Sequence, residues 1–77
     1  MLTGRTFRLK TETLAVETLD GGHRVAVSMP VGAVIHVIHG PTETDSRMVD
    51  IQWLGKSLVM FAVDVWARGE EVKGTDA

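Results

Sequence analysis

Apolar and polar residues alternate along most of this chain with a period of two, and glycine or proline interrupts the alternation at short intervals. That period belongs to extended strands, whose successive side chains point to opposite faces. Thr6–Lys10 reads as a strand with Phe7 and Leu9 on one face. Thr13–Leu19 and Arg24–Met29 flank Asp20-Gly21-Gly22, a composition suited to a hairpin because glycine accepts positive φ without strain. On the returning strand Val25, Val27 and Met29 share a face. Ala33–Ile38 follows the break at Pro30 and Gly32, and Met48–Leu54 sets Val49, Ile51 and Trp53 against Asp50 and Gln52. Glu70–Val72 can complete the sheet. Such dense punctuation marks a small barrel or sandwich. The polar run Thr42–Arg47 reads as a loop and Gly74–Ala77 as a frayed end.

Ser57–Arg68 fits two patterns. Leu58, Phe61, Ala62, Val65 and Trp66 have helical spacing, but Val59, Met60 and Val63 make the remaining face apolar too. The valines favour a strand over Leu58–Val63, followed by one tight turn over Asp64–Arg68 that Gly69 closes.

Composition supports sheet. Valine and isoleucine number fourteen and threonine eight, against six leucines and six alanines. With 77 residues the chain makes one small domain, spanning residues 1–77. A domain of that size buries only about 60% of its extended surface, so it gains from a disulfide, a metal or a second subunit. There is no cysteine, which removes disulfides and thiolate zinc sites.

Net charge is −2, from eight basic and ten acidic residues. Phosphate-gripping proteins draw much of their affinity from a basic excess, so a nucleic-acid partner is not expected beyond weak, salt-dependent binding. Only Arg5, Arg8 and Lys10 form a basic stretch, which reads as a solvated strand end. No run approaches the roughly 18 apolar residues of a membrane helix, and no signal peptide is recognisable, so no membrane contact and a cytoplasmic location are the expectation.

VGAVIHVIHGP, residues 31 to 41, carries two histidines three apart. On a regular strand they point to opposite faces and cannot share a metal; they could do so only on a helix or where the strand bends. No intrinsic metal and no cofactor are expected. Val34, His36 and Ile38 form one face of this strand, and Ile35, Val37 and His39 the other. Both are largely apolar, yet a small barrel turns only one face inward. The outer one must be covered, either by the chain itself, the N-terminal strand included, or by a second molecule.

No catalytic residues stand out. Ser28, Ser46 and Ser57 lack a nucleophile-elbow context, the glycines form no phosphate-cradling loop, and Glu70-Glu71 reads as a solvated pair. Phe61 and Trp53 read as core. Trp66, beside Arg68 at the end of the last long apolar run, reads either as a partner-facing anchor or as a cap on the open end of the barrel.

The order Pro30-x-Gly32, AVIHVI, a polar loop, MVDIQW, a Gly55-Lys56 turn, a short strand and VDVWARG resembles the second half of an SH3-like barrel, from about Met29 to Val72. It is also similar to a family of small bacterial proteins with no assigned activity. Their pattern corresponds here to Pro30, Gly32, Gly40, Pro41, Arg47, Val49, Asp50, Trp53, Gly55, Lys56, Met60, Phe61, Asp64, Arg68, Gly69 and Glu70. The resemblance implies a fold and no chemistry. Type II dihydrofolate reductases share the size and architecture, but Ser57–Phe61 has valine and phenylalanine where their pore strand carries glutamine and tyrosine.

The sequence thus leads to an all-β, SH3-like barrel of five or six antiparallel strands with one short helical turn near Asp64–Arg68. The expected role is a non-catalytic interaction module that forms homo-oligomers, with Val34, His36, Ile38, Trp66 and Arg68 as candidate interface residues. The alternative is a small-molecule-binding or catalytic homo-oligomer with its site at a symmetric interface.

Overall fold

The computed structural model describes residues 2–44 and 46–73. In chain order the elements are β1 (Thr6–Leu9), β2 (Thr13–Thr18), β3 (Arg24–Met29), β4 (Val34–His39), β5 (Met48–Trp53), β6 (Lys56–Phe61), α1 (Ala62–Arg68) and β7 (Gly69–Glu71). The strands form one antiparallel sheet in the order β3-β2-β6-β5-β4-β1-β7. The fold is all-β, with seven strands rather than five or six. The β2–β3 hairpin joins the sheet through β6, at Val16 opposite Val59, and the three-residue β7 pairs with β1. The expectation of a frayed end at Gly74–Ala77 lies outside the described residues.

One core occupies the inner face. Phe7, Ala15, Met29, Ile35, Ile51 and Met60, from six different strands, belong to a single buried cluster with Leu2 and Val65. A flat seven-stranded sheet would be about 29 Å across at its usual strand spacing, too wide for its edges to share a core. The sheet therefore curls around its own side chains. Turns permit this where the backbone needs it: Gly21 and Gly22 take φ of 80° and 82° between β2 and β3. The β5–β6 turn has φ of 52° at Leu54 and 77° at Gly55, the signature of a type I′ hairpin.

The segment after Leu58 departs from expectation. The strand ends at Phe61, and α1 begins two residues before the expected turn. The Ala62 N–H donates to the Arg47 carbonyl at 2.7 Å and anchors the first turn. Ala62 and Val65, three apart, then face the core, while Val63 is left outside. Asp64 in the first turn and Arg68 in the last complement the helix dipole and meet at 3.4 Å. Where the helix ends, position 69 calls for glycine, because a Cβ there would lie 2.6 Å from the Val65 carbonyl oxygen and 3.3 Å from the Phe7 Cβ.

Two aromatics also differ. Inner positions on β6 belong to Leu58 and Met60, so Phe61 points outward and is 51% exposed instead of joining the core. Trp53 is half-buried and packs against the core from its rim. Among the described residues no helix is long and apolar enough to cross a membrane.

Candidate functional site

The outer face of β4 carries the sequence-predicted strip. Ile35 and Val37 fill the core, whereas Val34 is 39% exposed and Ile38 53% exposed, with His36 between them. The N-terminal strand does not cover this strip. β1 lies beside β4 in the same sheet, with Thr6 opposite His36, Phe7 opposite Ile35 and Arg8 opposite Val34. From β1 the Thr6 hydroxyl lies 2.9 Å from His36 Nδ1, and Arg8 stands across from Val34.

The two histidines are not on opposite faces. β4 pairs regularly with β5 up to Val37 opposite Ile51, then shifts, so that His39 stands opposite Asp50. The extra residue is Ile38, and such a bulge resets the alternation. His36 faces Gln52 and His39 faces Asp50, residues two apart on β5, so both imidazoles lie on the outer side. No signal in the sequence marks the bulge except the crowded VIHVIHG run itself. Among the described residues no group of three or more histidine or carboxylate side chains could hold a metal.

A second apolar surface, not foreseen, lies on the outer face toward the other edge. Leu14, Val16, Ala26, Met48, Val59 and Phe61 line a groove of about 270 Å³ there. Register explains it: Val16 stands opposite Ala26 on one side and Val59 on the other, and Phe61 stands opposite Met48. The signal was present in TLAV and SLVMF, where both parities of the alternation are apolar.

At the rim of the sheet is a polar cleft of about 440 Å³. The Ser28 hydroxyl donates to the Glu12 carboxylate, and Arg68 Nη1 donates to the Glu12 carbonyl at 3.5 Å while its Nε meets Asp64. A hydroxyl paired with a carboxylate but with no imidazole beside it is not an activated nucleophile. Trp66 presents its ring edge-on to Phe7, centroids 6.1 Å apart at 80°, and still exposes 55% of its surface. It therefore caps Phe7 with part of its ring and leaves the rest in water.

The five predicted residues do not form one site. Val34, His36 and Ile38 lie outside the sheet. Trp66 and Arg68 ride on α1, which packs its Ala62 and Val65 into the inner core. The basic N-terminal stretch is flanked by acids across β1 and β7: Arg5 meets Glu71 at 3.7 Å, and Arg8 stands opposite Glu70. Compared with known protein families, curated proteins and solved structures, the chain has no match.

Proposed function

We propose that this chain is a non-catalytic protein-interaction module that associates with copies of itself through the outer face of its sheet. One observation carries the reading: β4 presents Val34 and Ile38 to solvent, while the N-terminal strand β1 sits beside it in the sheet and covers neither. Burying an extra ~300 Å² of apolar surface per subunit contributes on the order of 7 kcal/mol before association costs. A domain of this size is itself stable by roughly 4–12 kcal/mol, so the gain is comparable to the whole. The SH3-like description draws support from the order β7-β1-β4-β5-β6, with the β2–β3 hairpin emerging between the first two strands of that series in sequence.

Sedimentation of the wild type and of Ile38→Glu tests the reading. The wild type is expected to associate at neutral pH, and the variant to lose at least tenfold in the association step that the β4 face makes. A wild type that remains monomeric at high concentration overturns it.

A second reading, a ligand-binding oligomer with its site at a subunit interface, draws on the polar cleft, which Ser28 of β3 and Arg68 of α1 both line. It requires a small carboxylate to raise the melting temperature of the wild type and not of Arg68→Ala.

A further inference from the structure

The sheet ends in two edges, β7 and β3, and they differ in kind. β7 is three residues long and carries Glu70 and Glu71, a short charged edge that resists strand addition. β3 is six residues, RVAVSM, without proline, lysine or carboxylate, and its ladder with β2 is regular throughout. One charged side chain, Arg24 at its start, is the sole such device on this strand.

The phase of the ladder shows which groups β3 offers. The Leu19 N–H donates to the His23 carbonyl at 2.6 Å, so Leu19 and His23 form a hydrogen-bonded pair. Counting along the ladder by twos, Glu17 with Val25 and Ala15 with Val27 are hydrogen-bonded pairs as well. Arg24, Ala26 and Ser28 therefore turn their N–H and C=O groups away from β2. Among the described residues no strand receives them.

We propose that β3 pairs antiparallel with β3 of a second copy about a two-fold axis at Ala26, joining two sheets into one. The contact uses the sheet edge and is independent of the β4 face. Centring the axis on Ala26 matches all three outward-facing residues with one another: Ala26 with itself and Arg24 with Ser28, twice. Neighbouring registers leave one residue of each strand unmatched. The same register is favoured by charge. Arg24 of each copy arrives beside Ser28 of the other, whose hydroxyl already holds the Glu12 carboxylate on the same face. On the inner face it sets Val25 opposite Val27 in a close, non-hydrogen-bonded pair, an arrangement that favours β-branched side chains. On the outer face the row Val59, Val16, Ala26 continues into its own mirror partner across the axis. A second copy therefore matches this edge in backbone, charge and apolar surface at once.

Sedimentation of five variants beside the wild type tests the pairing. The Ala26 N–H points away from β2, so Ala26→Pro removes an edge donor without breaking the hairpin ladder. It is expected to weaken dimerisation about tenfold or more, by loss of paired edge groups, while Ile38→Glu leaves this dimer in place. Arg24→Glu and Glu12→Arg should each weaken it by roughly threefold or more, and the double variant should restore it, as expected of two symmetric exposed ion pairs. Because the chain has no cysteine, register can be read directly: an oxidised mixture of Val25→Cys and Val27→Cys should cross-link to a mixed dimer far faster than either variant alone. Three results overturn the proposal: Ala26→Pro dimerising like the wild type, the double charge variant failing to recover, or no preference for the mixed cross-link. Association lost in Ile38→Glu but kept in Ala26→Pro would leave the β4 contact standing and remove this one.

Discussion

Ile35 and Ile38 are the same residue type on the same strand, three positions apart. One is wholly buried and the other exposes 53% of its surface. Each has a valine before it and a histidine after it, so their immediate neighbours are the same. Position in the alternation separates them, because residues three apart on a strand point to opposite faces. The curled sheet gathers Ile35, Val37 and the other inner side chains into one cluster, and the bulge after Val37 adds His39 to the outer side beside Ile38. Hydrophobic residues on the inner face are thus committed to folding, whereas those on the outer face are free for association.

The sharpest way to break that comparison is to truncate both. Ile35→Ala should lose about 3 kcal/mol of stability in urea denaturation, combining lost transfer energy with a cavity. Ile38→Ala should change it by less than about 0.5 kcal/mol in a monomeric sample. Equal losses would mean that the outer strip supports the fold after all.

Gly69→Ala probes the inner side from the helix end. Its Cβ would enter the 2.6 Å space before the Val65 carbonyl, against Phe7, and should cost about 2 kcal/mol. A neutral result by the same denaturation would show that α1 can back away from β1. A smaller change than that of Gly69→Ala, and of opposite sign, is expected at the β5–β6 turn. Leu54 holds a φ of 52° and is well exposed, and asparagine tolerates that conformation better. Leu54→Asn should raise stability by about 0.5–1 kcal/mol, seen as a higher melting temperature. A loss would mean that the Leu54 side chain contributes to packing despite its exposure.

Strands were legible where one parity is apolar and the other polar, as in β5, with Val49 and Ile51 against Asp50 and Gln52. Where both parities are apolar, the sequence leaves the inward face open. In β6 the choice between Leu58 with Met60 and Val59 with Phe61 is made by packing, and Phe61 was read the wrong way. The helix was obscured by Val63 and Val65, whose strand preference is outweighed by the Ala62–Arg47 anchor and the Asp64–Arg68 pair. Of the candidate interface, the Val34–His36–Ile38 strip was visible as an alternation without enough core to absorb it. The groove around Val16, Ala26 and Val59 was not, because it depends on which strands become neighbours.

The bulge at Ile38 also governs how this chain can change length. Pairing runs in step up to Val37 opposite Ile51 and resumes with His39 opposite Asp50. Ile38 is thus a supernumerary letter in the ladder. Deleting it would bring His39 directly after Val37 and keep every later pairing in frame. Deleting Val49 instead, on the strand that pairs with β6 without a shift, would throw the rest of that strand onto the wrong face. The strand β4 thus carries one residue that can be lost without rewriting the core, and it lies on the outer face.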